Sequence, residues 1–318
     1  MGYRHLSIDE REVILKMREN SKTLEEIAKK LGRSKSTISR ELRRNVSSAG
    51  DYKPHLAQKY YLKRREDSKQ PYKLQAEQLL NHVLDKLEQE WSPEQISGRL
   101  VTDGSDMSIC AGTIYRYIRD DKSDGGVLYR KLRHGLKKKR KRYGSSDKRG
   151  QIPDKRMIDD RPGYVDKRST FGHWESDSMV GRNHKSYIAT HVERKSRYLV
   201  AAKLDSKSAT DYNKASISKF SKIPIEMIKT MTVDNGKEFA GFKALEKVLK
   251  TRVYFAHPYS SYERGTNENT NGLLRQYFPK GTDFNLISQK DIDKVVNKLN
   301  NRPRKCLGYR TPTEVFYK

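Results

Sequence analysis

Apolar positions in the first third of the chain recur at helical spacing. Ile14 and Met17 supply part of one stripe, and Ser7 to Glu10 has the spacing of a capping box that would start that helix. Leu24, Ile27, Ala28 and Leu31 form a second stripe, Gly32 permits a tight turn, and Ser34 can cap a third helix that buries Ile38 and Leu42. Residues 51–90 read as helical and heavily charged. A weaker pair follows: Ser92, Pro93 and Gln95 begin a helix burying Ile96 and Leu100, and a later stretch places Ile114, Tyr117 and Ile118 on one side. The turn between these two helices is longer than the usual 3–4 residues.

From about residue 164 the pattern changes. FGHWESDSMVG, KSYIATHVER and RYLVAAKLD read as three successive strands with short connections, hence an antiparallel meander. A helical stretch near ATDYNKASISKF follows. IKTMTVD and RVYFAHP are further strands separated by the helix KEFAGFKALEKVLK, and that βαβ order makes them parallel. Three antiparallel strands followed by two parallel ones match a ribonuclease-H-like α/β sheet. ISQKDIDKVVNKLNNRPR reads as a closing helix. The expected organisation is multidomain: an all-α helix-turn-helix domain over 1–50, a helical region with a second helix-turn-helix over 51–132, a basic linker over 133–160 and the α/β core over 161–318.

Charge changes what these elements mean. The 318 residues carry 67 Lys/Arg against 40 Asp/Glu, a net charge of +27. Residues 1–150 hold 35 against 21 (+14) and the remainder 32 against 19 (+13), so both halves face a polyanion. No apolar run approaches the roughly 18–20 residues that span a bilayer, and no signal-peptide core is evident at the N-terminus. Two distant cysteines, Cys110 and Cys306, exclude a disulfide framework or a cysteine-rich zinc site and fit a reducing cytoplasm. Double-stranded DNA is the expected partner, with no membrane role.

On that reading the second helix of the first pair presents Arg33, Lys35, Ser36, Thr37, Ser39 and Arg40 to DNA. Hydroxyls and cations hold phosphates, and Arg can also read guanine in the major groove. Arg116 and Arg119 would face outward from the second pair. The cationic run Lys137–Arg142, with Lys138 and Arg140 within it, would clamp DNA nonspecifically or serve as a solvated tether.

Three acids define the candidate chemistry. Asp177 falls on the first strand, Asp234 at the end of the fourth, and Glu268 on a helix that also carries Asn271 at i+3 and Arg275 at i+7. Asn235-Gly236 lets the chain turn away while the Asp234 carboxylate stays at the sheet rim. Such a cage of hard oxygens suits Mg²⁺ or Mn²⁺, and a pair of ions about 3.5–4 Å apart serves phosphoryl transfer. Asn271 and Arg275 are suited to DNA contacts. Taken singly, each acid is commonly a turn residue, a strand residue satisfying backbone donors, or a solvated helix residue.

The motifs GRSKSTISREL, GTIYRYI, the RP and GHWE stretches ahead of Asp177, VDNGKEF, RGTNENTNGLLRQYFPKGTDF and NRPRKCLGYRTPTEVF cover nearly the whole chain. In these the sequence resembles bacterial insertion-sequence transposases of the insertion-sequence-thirty family, within the DDE transposase/integrase superfamily. The resemblance implies that Asp177, Asp234 and Glu268 bind the metal and that Arg275 is an accessory DNA contact. It further implies binding of terminal inverted repeats, strand cleavage and strand transfer into target DNA, and a homo-oligomer that synapses two ends, with the protein nucleoid-associated when DNA-bound. Ser176 stands where the family often has Gly, and Tyr262 where Trp is frequent. Glu263 is the nearest rival third acid, and the family register favours Glu268. The competing functions are a transcriptional repressor with a non-catalytic oligomerisation domain, and a structure-specific nuclease that cuts without joining.

Overall fold

The computed structural model describes residues 4–46, 51–68, 74, 76–133, 152–258 and 260–318. The run from Lys137 to Arg142, and with it Lys138 and Arg140, lies outside the described residues. Packing divides the chain into two compact units, Met1–Gln75 and Ala76–Lys318. This differs from the sequence-based divisions at 50, 132 and 160, for a reason visible in the side chains.

The smaller unit holds α1 (Ile8–Glu19), α2 (Leu24–Leu31), α3 (Lys35–Asn45) and α4 (Pro54–Asp67). The Ser7–Glu10 capping box forms, and a second one at Thr23–Glu26 starts α2. Gly32 ends α2 at φ +61°, the left-handed conformation that turns the chain at once into the Ser34 cap of α3. Ile14, Ile27, Ala28 and Ile38 close the core. Arg11 is buried beside it, pairing with Glu41 at 2.6 Å and donating to Leu6 O at 3.0 Å.

The larger unit starts with α5 (Glu77–Glu88), α6 (Pro93–Thr102) and α7 (Ala111–Ser123). Of the expected stripe, Ile96 and Leu100 on α6 and Ile114 and Ile118 on α7 are buried, and Tyr117 is half-buried. The polar side of α6 is only partly solvated. Arg99 makes a bidentate pair with Glu314 at 2.7 Å, Gln95 donates to Pro303 O at 2.6 Å, and the Tyr309 ring lies flat against Gly98. A Cβ at position 98 would stand 2.5 Å from that ring. These contacts are why α5–α7 belong to the same unit as the sheet.

The sheet comprises β1 (His173–Val180), β2 (Tyr187–Glu193), β3 (Leu199–Leu204), β4 (Thr230–Val233) and β5 (Arg252–Phe255), in the order β3-β2-β1-β4-β5. The β1/β2 and β2/β3 pairs are antiparallel and β4/β5 is parallel, as the pattern predicts, and β1 pairs parallel with β4. Strand alternation sorts side chains to two faces. Trp174, Ala189, Val200, Ala202 and Met231 join the core under α8 (Ala209–Phe220) and α9 (Phe242–Leu249). Met179, Ile188, Val192, Leu199 and Ala201 join the core under α10 (Gly265–Tyr277) and α11 (Gln289–Asn300). The chain closes with α12 (Pro312–Phe316). Asp177 has the parity of Met179 and so faces α10.

Candidate active site

Asp177 and Asp234 come from adjacent parallel strands and meet at one cation. Arg264, just before α10, places Nη1 3.4 Å from Asp177 Oδ1 and Nη2 3.4 Å from Asp234 Oδ2. Burial pushes the Asp177 carboxyl above its ordinary range; Arg264 opposes that shift and neighbouring Asp234 adds to it.

Each aspartate is oriented locally. Asp177 Oδ1 accepts from Ser178 N at 2.9 Å, and Oδ2 accepts from Asn271 Nδ2 at 3.1 Å. Asp234 Oδ1 accepts from Gly236 N at 2.8 Å, closing the turn that Asn235-Gly236 allows. Asn235 pins that turn, donating to Ala256 O at 2.8 Å and accepting from Lys155 Nζ at 2.7 Å. Gly236 is also required by space, because a Cβ there would lie 2.4 Å from Glu238 Oε2 and 2.9 Å from Asp234 Oδ1.

Glu268 lies on the first turn of α10 and is exposed, forming no hydrogen bond or ion pair among the described residues. Helical spacing puts it on the same side as Asn271 and Arg275. Among the described residues no three His, Cys, Asp or Glu side chains are gathered closely enough to hold a metal ion. The two aspartates do converge, on a cation that stands where two carboxylates would otherwise repel, and a hard divalent cation suits such donors. Glu263 is committed elsewhere: its carboxylate takes His257 N at 2.8 Å and meets His257 Nδ1 at 2.9 Å.

Several groups depart from the sequence-based reading. Asn271 is engaged with Asp177, and Arg275 donates to Val180 O at the end of β1 at 2.8 Å, so both tie α10 to the sheet. Asn267, unnoticed in the sequence, is fully buried. Its Nδ2 donates to Glu175 O at 2.8 Å and Thr190 O at 3.1 Å, and its backbone N–H donates to Glu175 Oε2 at 2.9 Å. Glu238 was equally unnoticed; it is 3% exposed and accepts from Ser178 Oγ at 2.5 Å, directly beside Asp177. Their only sequence signal is adjacency to the motif acids.

In the smaller unit Ser36, Ser39 and Arg40 are exposed on α3, and Lys35 pairs with Glu25 at 3.4 Å. Arg40 is steadied by Ser36, with Nε 3.1 Å from its carbonyl and Nη2 3.2 Å from its hydroxyl. Thr37 Oγ1 is 2.8 Å from Ser34 Oγ at the helix start. Arg33 is turned back into the fold, pairing with Glu10 at 2.9 Å and donating to Arg4 O at 3.0 Å, so it braces α1 rather than facing outward. A 400 Å³ cleft between α3 and α4 is lined by Thr37, Arg40, Arg44, Tyr61, Arg64 and Arg65, adding α4 arginines to the basic surface. Arg116 and Arg119 are exposed on α7.

A sheet of this topology with paired aspartates on its central strands defines the integrase-core class. Residues 167–261 match the integrase core domain family, and residues 2–45 match a helix-turn-helix domain family. The chain is 40% identical to the transposase for insertion sequence element IS4351 of Bacteroides fragilis over 98% of its own length and 95% of that protein. It is 37% identical to the transposase for IS1086 of Cupriavidus metallidurans (99% and 94% covered), and 39% identical to the transposase InsI for IS30A of Escherichia coli K12 (98% and 83% covered). The chain belongs to this family of insertion-sequence transposases. It is thus a DNA-binding enzyme that cleaves DNA and transfers strands, and its class implies use of a divalent metal. Family membership disfavours the repressor reading. No helix among the described residues is long and apolar enough to cross a membrane.

Proposed function

We propose that Asp177, Asp234 and Glu268 hold two Mg²⁺ or Mn²⁺ ions and that the substrates are the terminal inverted repeats of the element and a target duplex. The convergence of Asp177 and Asp234 on the single Arg264 guanidinium carries this reading. Bound there, a pair of divalent ions supplies activation of the attacking oxygen and stabilisation of the leaving 3′-oxygen. The chain's own residues prepare that site. Asn271 and Ser178 N hold the Asp177 carboxylate in one orientation, and Gly236 N does the same for Asp234. Arg264 holds the two carboxylates together and would yield them to the metal. Glu268, exposed and uncommitted among the described residues, would complete the site by turning toward them, at an ordering cost of up to about 2 kcal/mol.

The exposed Lys35, Ser36, Ser39 and Arg40 face of α3, with Thr37 at its start, reads the repeat, while Arg116, Arg119, Lys138 and Arg140 add backbone contacts. Two ends are held by a homo-oligomer, nucleoid-associated in the cytoplasm. The test is a cleavage and joining assay with Mn²⁺ on duplexes carrying the repeats that flank the gene. Wild type should give joined products, and Asp177→Asn and Asp234→Asn should bind ends yet give neither nicks nor joints. Cutting without joining would favour a structure-specific nuclease, and nicking by either variant would displace that aspartate from the site.

A further inference from the structure

The face of α10 turned away from the aspartates carries a second feature. Thr266 and Thr270 lie two residues from Glu268 on either side, about 200° around the helix axis from it. Both are buried, and they line a 270 Å³ cavity with Arg168, Arg197 and Arg304. An adjoining 510 Å³ cavity shares Arg168, Arg197 and Cys306 and adds Lys195 and Arg310. Among the described residues neither cavity has an aspartate or glutamate in its lining.

The arginines are held there with unspent charge. Arg168 Nη2 and Arg197 Nη1 both donate to the same neutral hydroxyl, Thr266 Oγ1, at 3.2 and 2.7 Å. Arg197 Nε is buried and has no hydrogen-bond partner among the described residues. Glu175, the carboxylate that acts on Arg168, is already paired with Arg194 at 3.5 Å. Burial and the neighbouring Arg197 push the Arg168 guanidinium below its ordinary value, and burial brings Arg304 down to about 10. Arg168 and Arg197 also sit at φ +52° and +66°, the left-handed region that favours glycine. Strained arginines sharing one hydroxyl, without a carboxylate, are what an anion site looks like before its anion arrives.

We infer that these joined cavities form a trough for the phosphodiester backbone of DNA, behind the catalytic helix and independent of base sequence. Cations at both ends and in the shared middle fit a run of phosphates better than one isolated phosphate. Because Thr266 lies in the first turn of α10, an occupied trough also braces the helix that carries Glu268.

The inference rests on the chain being a DNA transposase, and the experiment separates the two. Full-length protein, without divalent metal, is titrated with a labelled repeat duplex and an unrelated duplex between about 50 and 200 mM salt. Lys195→Gln should lower the slope of log affinity against log salt by about 0.9, and Arg168→Gln/Arg197→Gln by about 1.8, equally for both duplexes. In Cys110→Ser protein, the duplex should slow reaction of the Cys306 thiol with an aromatic disulfide reagent, while inorganic phosphate should not. Unchanged slopes in Lys195→Gln and the double variant, with wild type still cutting and joining DNA, would overturn the trough alone. Protection of Cys306 by inorganic phosphate equal to that by duplex would make it a free-anion site and overturn the DNA occupant. Wild type that neither binds nor cuts DNA would overturn the transposase reading beneath it.

Discussion

The α2–α3 and α6–α7 pairs are built with the same local devices and end in different surroundings. Each first helix opens in a capping box, Thr23 with Glu26 and Ser92 with Gln95, and each second helix buries isoleucine: Ile38 on α3, Ile114 and Ile118 on α7. The α2–α3 turn is short and hinges on Gly32, and its pair closes against α1 and α4 inside the 75-residue unit, leaving Ser36, Ser39 and Arg40 exposed. The α6 helix instead gives Gln95, Gly98 and Arg99 to the segment 302–314 at the chain's end. An apolar stripe reports that one face is buried. It is silent about what a polar opposite face meets, and here that difference separates a helix with an exposed polar face from one fastened to the segment 302–314.

The largest effect that sharpens this contrast is acid lability. His173, between Thr170 and Thr230, and His191, between Ser176 and Ser216, are held by burial at about 4 and about 3, below the ordinary 6.5. Lowered folded values mean that their contribution is complete above pH 6.5 and falls as pH drops, by about 1.4 kcal/mol per unit for each histidine. Both tryptophans, Trp91 and Trp174, belong to the larger unit, so fluorescence-monitored urea unfolding should show it weakening between pH 7 and 5. A flat profile would break the account of these histidines.

Gly98→Ala comes next. With the Tyr309 ring 2.5 Å from the new methyl, α6 or the ring must shift, at about 1–3 kcal/mol in the larger unit alone. Arg40→Ala should weaken repeat binding by about 1–2 kcal/mol and unrelated DNA by less, read by gel-shift titration, with stability unchanged. Equal loss on both duplexes would mean that α3 holds backbone only.

Glu314→Gln has the smallest effect, about 1 kcal/mol or less, because its side chain is 39% exposed and solvent screens the pair. Hydrogen bonding to Arg99 holds its carboxyl at about 2. The pair therefore contributes fully above pH 4.5 and fades as pH falls toward 2, so the difference between wild type and variant should shrink in acid.

Much of this arrangement was legible in the chain. The short connections over residues 173–204 predict an antiparallel meander, and the βαβ spacing around Asp234 predicts a parallel last pair, because a short loop's reach and a crossover helix leave few alternatives. Capping boxes at Ser7 and Ser92 mark helix starts by spacing alone. What was not legible depends on long-range partners. Arg264 sits inside a recognisable motif, but nothing local says that it bridges two aspartates from different strands. Arg275 reads as a free cation until the end of β1 supplies Val180 O. Glu238 and Asn267 bury polar groups that only the assembled sheet can satisfy. Arg33, next to the recognition helix, is taken by Glu10 across the unit.

The central claim is that Glu268 completes a metal site begun by Asp177 and Asp234. The most direct measurement compares Glu268→Gln with Glu263→Gln in Mn²⁺-dependent strand transfer on the repeat duplex. Glu263 is tied to His257 and Glu268 is not. Joined products should vanish in Glu268→Gln, with end binding intact, and persist in Glu263→Gln. Persistence in Glu268→Gln together with loss in Glu263→Gln would contradict the account and move the third ligand five residues toward the N-terminus.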